Sequence, residues 1–423
     1  MPDPAALVEE TAQQVERLGS LDFVVGVASQ DNAATIGAVV QAARAGLEQA
    51  FPGARVAVIH ADSGSRDETA ERARTALPGD ALVQVQTGSD GTSRLTSAPL
   101  VRASALQAIF EVATRLSARG CAVFDADVTS VSPEWVARLL APVAADRADF
   151  ITPNYARHRF AGAITTSVLY PMVRALYGRR IRYPVAGEFA CSTRVLQHFR
   201  AAPGWRAEVA RLSIDLWLTT EAIVAGFRLA QTDLGVKTQV ASEGAVDLSG
   251  TLSKVLGALF LQAERTAAHW QKVRGSQAVP VDGANQVPSP EAAPADARRA
   301  LDAFRLGQRN LADIWAAVLP PGALLELNKL ARRPDAEFCF PDALWARIVY
   351  DFAIAHRTRV MNRDHLLSAF TPLYSGWLGG FIEEMQTAGE AEVDARIEKL
   401  CLQYEAEKPY LISRWRWPDR FNP

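Results

Sequence analysis

The chain has 423 residues, 49% hydrophobic and 22% charged, with a formal net charge of -2. That length carries two or three domains, and the near-neutral balance excludes a nucleic-acid binder that works by bulk positive charge. Cys121, Cys191, Cys339 and Cys401 lie far apart with no paired metal spacing, so buried thiols are expected and no disulfide framework. Met1-Pro2-Asp3-Pro4 is not a basic region followed by an apolar stretch. No run of about eighteen apolar residues is free of charge. A cytoplasmic chain without a membrane span is the expectation.

Residues 5–18 are amphipathic and predict a helix. Leu21–Ala28 predicts a first strand, and Ser29-Gln30-Asp31-Asn32 a loop able to cap a helix over 33–50. A second strand, Ala54–His60, runs into Asp62-Ser63-Gly64-Ser65-Arg66-Asp67-Glu68-Thr69 and a helix to about Leu77. Ala81–Gln86 predicts a third strand, 88–99 a polar loop, and 100–118 a helix leading to the apolar run Cys121-Ala122-Val123-Phe124. This strand–helix alternation predicts an α/β fold with a doubly wound, mostly parallel sheet. Further strands are expected at Phe150–Thr152 and Arg228–Thr232, with helices over 208–225 and 250–273. Residues 275–297 read as a linker, rich in Pro, Gly, Ser, Gln and Ala. Residues 298–423 read as an all-α domain, with Trp315, Trp345, Phe352 and Trp377 as core anchors. Its apolar faces suffice for a homodimer.

Asp125-Ala126-Asp127 carries the chemistry. Carboxylates on alternate residues at a strand end point the same way, and the carboxyl ends of the strands of an open α/β sheet form the ligand crevice. Such a pair calls for a cation, and hard oxygen ligands suit Mg or Mn carrying a diphosphate. Three other features fall at successive strand ends: the loop Ala28–Asn32, the Asp62–Thr69 loop, and Gly187-Glu188-Phe189 with Asp215 downstream. Each has a plainer reading as well. Asp62 or Asp67 can serve a helix-capping turn, Arg157-His158-Arg159 a solvated basic loop, and Glu188 a solvated turn. His60 reads as a structural partner of Asp62.

In this order, the features resemble the GT-A nucleotide-sugar glycosyltransferases. Ala156–Thr165, Pro184-Val185-Ala186-Gly187-Glu188-Phe189 and Leu212-Ser213-Ile214-Asp215 resemble segments of the mannosylglycerate synthase group. Its relatives are glucosylglycerate and glucosyl-3-phosphoglycerate synthases, which are retaining enzymes. His365-Leu366-Leu367 and Phe370–Tyr374 resemble the helical extension of the glucosylglycerate synthases.

The resemblance implies a GT-A catalytic domain over 1–274 that takes a nucleoside diphosphate sugar and a small carboxylate, with a divalent metal. Asp62 would hold the nucleoside beside the loop that begins at Ala28. Asp127 would be the main metal ligand, with Asp125 on the ribose or supporting the metal. Arg157 and Thr165 would grip the acceptor carboxylate next to Val185. Glu188 would touch the sugar hydroxyls and Asp215 the acceptor hydroxyl. Two positions depart from the pattern. Where these families carry Gly-Lys-Gly, this chain reads Ala98–Ser104, with Arg102 as the stand-in cation. Where they carry a metal-binding His, Lys237-Thr238-Gln239 presents Gln239, a neutral and poorer ligand. Three functions follow: glucosyl or mannosyl transfer to glycerate or a similar small acid, transfer to another acceptor, or nucleotide-sugar binding on a decayed site.

Overall fold

The computed structural model describes residues 9–87, 98–240, 247–283 and 296–418. Its chain forms two compact units. The first comprises Met1–Ala156, Arg182–Glu243 and Val279–Pro288, and the second Arg157–Ile181, Gly244–Ala278 and Ser289–Pro423.

The first unit is built on a sheet of eight strands. They are β1 (Phe23–Ser29), β2 (Val56–Asp62), β3 (Leu82–Gln86), β4 (Gly120–Asp125), β5 (Phe150–Ala156), β6 (Phe189–Ser192), β7 (Leu229–Val236) and β8 (Val281–Asp282). Their order in space is β8-β7-β5-β6-β4-β1-β2-β3. β6 runs antiparallel between β4 and β5, and the other pairings are parallel. The expected mostly parallel sheet is therefore present.

Every residue of β1 is buried, as a parallel strand covered on both faces requires. Phe23, Val25 and Val27 enter one core with Ile36, Val39 and Val40 of α2 (Ile36–Ala50) and Trp135, Val136 and Leu139 of α5 (Pro133–Ala144). On the opposite face, α4 (Ala98–Arg115) brings Ile109 so close to Gly26 that a Cβ there would lie 2.4 Å from it. Helices thus sandwich the sheet, and the carboxyl ends of the parallel strands share one edge with the amino end of β6.

Residues 88–97 of the expected polar loop lie outside the described residues. So do residues 284–295 of the expected linker. Its earlier part corrects that expectation: Gln277–Ala278 pairs in parallel with Arg179–Arg180, and Val281–Asp282 joins the main sheet beside β7. Backbone pairing with distant strands outweighs a turn-rich composition here.

The second unit is helical, and it recruits earlier segments. The carbonyl of Ser167 accepts hydrogen bonds from Trp345 Nε1 and the Tyr404 hydroxyl, both at 2.9 Å. Arg174, fully buried, donates to Glu405 at 2.6 Å and to Glu398 at 2.5 Å. These bonds explain why 157–181 groups with this unit, whereas the sequence reading ran one catalytic domain to 274. Trp315, Trp345 and Trp377 are buried core, as expected, and Trp415 packs edge-on against Trp270. Among the described residues, no helix is long and apolar enough to cross a membrane.

Candidate functional site

Five carboxylates converge on the carboxyl edge of the first unit's sheet: Asp62, Asp125, Asp127, Glu188 and Asp215. Asp62 closes β2 and is buried. Its Oδ1 accepts from Ser65 N at 3.3 Å, and its Oδ2 from Gln86 Nε2 at 3.2 Å. His60 stands behind it. Gln84 Nε2, 3.3 Å from His60 Nδ1, also donates to Ala70 O, so Nδ1 is the acceptor. The proton then sits on Nε2 and points at Ser29 Oγ, 2.7 Å away. Burial lowers the His60 pKa to about 4 against the opposing pull of Asp62, so the ring is neutral at pH 7. His60 is therefore the structural partner the sequence suggested.

The loop after β1 starts past Ser29, so Ala28 belongs to the strand and not to the loop expected from it, and this loop is latched to the Asp62 loop. Asp31 N donates to Ser65 Oγ at 2.9 Å, Arg66 N to Asp31 Oδ1 at 2.8 Å, and Asn32 N to Thr69 Oγ1 at 2.8 Å. Asp67 orders the start of the next helix by accepting from Thr69 N at 3.0 Å. It also accepts from Ala33 N at 2.9 Å.

Asp125 and Asp127 part company in their partners. Asp125 ends β4, and its Oδ1 accepts from Arg102 Nη1. Asp127 lies one step beyond, where an isolated antiparallel bridge joins Val128 to Gln239. Gln239 Nε2 is 3.2 Å from both Asp127 oxygens. The structure thus brings together Gln239 and Asp127, the two residues that the resemblance assigned to the metal. Among the described residues, no three His, Cys, Asp or Glu side chains group tightly enough to hold a metal alone. Asp127 offers its two carboxylate oxygens here, both facing the Gln239 amide nitrogen, and the Gln239 carbonyl would join them as a ligand once that amide is turned over. That suits a Mg-type ion completed by phosphate and water.

Arg102 comes from α4 and spans the site. It donates to Asp215 through Nε at 3.0 Å and Nη2 at 2.9 Å, to Asp125, and to the Gly187 carbonyl. Its pKa rises further, because the pull of the carboxylates around it, Asp215 foremost, outweighs the cost of burial. Asp215 begins the helix Ile214–Val224, which Ser213 caps through its Oγ and Leu216 N. The expected single helix over 208–225 breaks at this cap.

Glu188 is not the solvated turn residue of the plain reading. Its side chain is 0% exposed, and Lys237 Nζ lies 2.9 Å from Oε1 and 2.7 Å from Oε2. The Tyr155 hydroxyl also donates to Oε2. Sequence reasoning named Lys237 only as a marker for Gln239 and missed Tyr155. A usable signal was the lysine directly after an apolar strand, where burial demands a counter-charge.

The residues expected at the acceptor are each placed within their own unit. Val185, half-buried, precedes the Gly187 turn of the first unit. Arg157 and Thr165 belong to the second. There Arg157 Nη1 approaches Gly162, whose φ is +68°, and Thr165 N donates to Gly162 O at 2.8 Å at the start of a π-helical turn, Thr165–Leu169.

No family model matches the chain. Over 107 residues it is 35% identical to a glucosyl-3-phosphoglycerate synthase of Persephonella marina, a match covering 22% of this chain and 27% of that protein. The chain thus spans about a quarter of that relative's length. Its fold is also similar to glucosyl-3-phosphoglycerate synthase from Mycobacterium tuberculosis in complex with Mg2+ and UDP, at a TM-score of 0.45 and 18% identity over 61% of this chain and 83% of that one. A second structure of that enzyme, with Mn2+, UDP and glucosyl-3-phosphoglycerate, gives 0.42 and 19% over 66% and 94%.

Proposed function

We propose that the chain is a divalent-metal-dependent glycosyltransferase that moves glucose from a nucleoside diphosphate to D-glycerate or 3-phosphoglycerate. The observation that carries this reading is the charge of the site. Among the described residues at the ligand edge of this doubly wound sheet, Asp125 and Asp215 pair with Arg102 and Glu188 pairs with Lys237, whereas Asp62 and Asp127 accept from uncharged groups. A diphosphate enters such a net-negative edge only with added positive charge. The matched stretch of a glucosyl-3-phosphoglycerate synthase supports the choice of sugar and acceptor class.

In this reading Asp62 holds the nucleoside, and Asp127 with Gln239 holds the metal. Such an ion supplies Lewis-acid stabilisation of the departing diphosphate. Arg102 orients the Asp125 and Asp215 carboxylates. We assign Asp215 to the acceptor hydroxyl; the assignment of Arg157 and Thr165 to the acceptor carboxylate rests on the resemblance alone. The resemblance assigns Glu188 to the sugar hydroxyls; its side chain is fully buried here against Lys237 and Tyr155. The resemblance implies retention of configuration, and with no protein nucleophile assigned we take it to proceed by a front-face route, in which the leaving phosphate receives the acceptor's proton. Mannose is the alternative sugar.

The test is calorimetric titration of UDP-glucose, GDP-glucose and GDP-mannose with and without Mg or Mn, followed by transfer assays on both acids. Metal-dependent binding of one donor, and a product whose anomeric configuration matches the donor's, are expected. Binding without transfer to either acid would replace this acceptor class with another. Donor binding with neither hydrolysis nor transfer to any acceptor would favour the decayed-site reading, and no donor binding under either metal would end the transferase reading.

A further inference from the structure

The Lys237 ammonium has three N–H donors, and three acceptors take them: Ala186 O at 2.9 Å and the two Glu188 oxygens at 2.9 and 2.7 Å. It lies 5.6 Å from the centroid of the Tyr155 ring, whose hydroxyl completes the shell of Glu188. Lys237 is 6% exposed, so a small molecule has little access to it. Its position in the chain is the telling part. It follows β7 directly and stands two residues before Gln239.

The turn it holds is tightly confined. Gly187 has a φ of +91°. A Cβ there would lie 2.7 Å from Asp125 Oδ2 and 2.9 Å from Lys237 Nζ. The Gly187 carbonyl meanwhile accepts from Arg102. Two cations therefore pin three consecutive residues, Arg102 from the α4 side and Lys237 from the β7 side. Of the two, Lys237 alone is also continuous in sequence with the segment that carries Gln239 to Asp127.

We propose that Lys237 is a positioning residue: it rivets the Ala186–Glu188 turn to the end of β7 and so sets the spacing between Glu188 and the Asp127–Gln239 pair. This rests on the transferase reading above. Lys237 touches neither donor nor acceptor and acts through the groups it holds. Geometry of this kind is expensive to lose, since displacing a reacting group by about 1 Å costs on the order of a hundredfold in rate.

The experiment pairs kinetics with hydrogen exchange on Lys237→Met, Lys237→Arg, Glu188→Gln and the Lys237→Met/Glu188→Gln double variant. Lys237→Met is expected to lower kcat for transfer about a hundredfold while the donor KM changes less than about threefold. Lys237→Arg, which keeps the charge and several donors, is expected to recover about tenfold of that loss. The double variant is expected to be no slower than the slower single one, because both remove the same contact. Amide exchange in Lys237→Met should rise over 185–189 and 238–240 and stay unchanged in β1 and β2. A folded Lys237→Met with unchanged kcat, or with unchanged exchange at the turn, overturns the proposal. If the wild-type chain binds no donor, the transferase reading fails by itself, and the exchange pattern still decides whether Lys237 pins the turn.

Discussion

Arg102 grips Asp215 through a two-nitrogen fork, with Nε 3.0 Å from Oδ2 and Nη2 2.9 Å from Oδ1. The same guanidinium reaches Asp125 and the Gly187 carbonyl, so one side chain ties α4, β4, the Gly187 turn and the helix that begins at Ile214. Arg102→Ala leaves two mostly buried carboxylates without their cation. The expected result is a loss of about 2 kcal/mol in unfolding free energy by denaturant titration and a fall in transfer of about a hundredfold or more. Arg102→Lys should recover little of either, because an ammonium cannot bond two carboxylates and a carbonyl in a fixed planar fork.

Gln239 lies where an imidazole would be the stronger metal ligand, with its Nε2 3.2 Å from both Asp127 oxygens. Gln239→His is expected to tighten Mn-dependent UDP-glucose binding about tenfold. Asp127→Ala is expected to abolish the metal-dependent part of that binding. Calorimetry with and without Mn reads both. Equal donor affinity in Asp127→Ala would remove Asp127 from the metal site.

Gly187→Ala places a Cβ 2.7 Å from Asp125 Oδ2 on a backbone at φ +91°. Both the strain and the contact oppose it, and a destabilisation of about 1–3 kcal/mol is expected. A shift of the turn should also weaken donor binding. The variant's thermal midpoint and its calorimetric titration check the two effects separately.

In the second unit, Asp351 is buried against Arg414 Nη1 at 3.2 Å and accepts from the Tyr410 hydroxyl at 2.8 Å. Burial pushes its pKa up to about 7, against the opposing pull of Arg414, Tyr410 and Arg347. The folded form thus holds a proton that the unfolded form releases near the ordinary carboxylate value. Stability from this group is full below about pH 4 and is lost as pH rises to about 7, at up to about 1.4 kcal/mol per pH unit. His356, its pKa lowered to about 4 by burial, works in the opposite direction below its ordinary value. The difference between wild type and Asp351→Asn isolates the aspartate, and denaturation midpoints from pH 4 to 8 should converge toward the acid end. A pH-independent difference would contradict the shift.

The sequence by itself determined the strand–helix alternation and the edge at which the chemistry gathers. Periodicity reports which faces of an element are buried, and apolar runs such as Cys121–Phe124 announce a covered strand before any partner is known. Asp62, Asp125 and Asp127 were legible for the same reason, since each sits at or just past the end of a strand pattern, whereas Gln239 was reached only through the family resemblance. Tertiary structure alone decided which charges meet. Arg102 lies 113 residues from Asp215, and Lys237 49 from Glu188, separations at which local pattern carries no information on pairing. β6, four residues long, enters antiparallel between β4 and β5 because both neighbours leave backbone groups to satisfy, and its own length is too short to show a period. The same accounting turned 277–278 and 281–282 from expected linker into two short paired strands, and carried 157–181 into the helical unit through Ser167 and Arg174. Composition marks such segments as loops, and only the backbone and buried charges they meet in the folded chain settle where they belong.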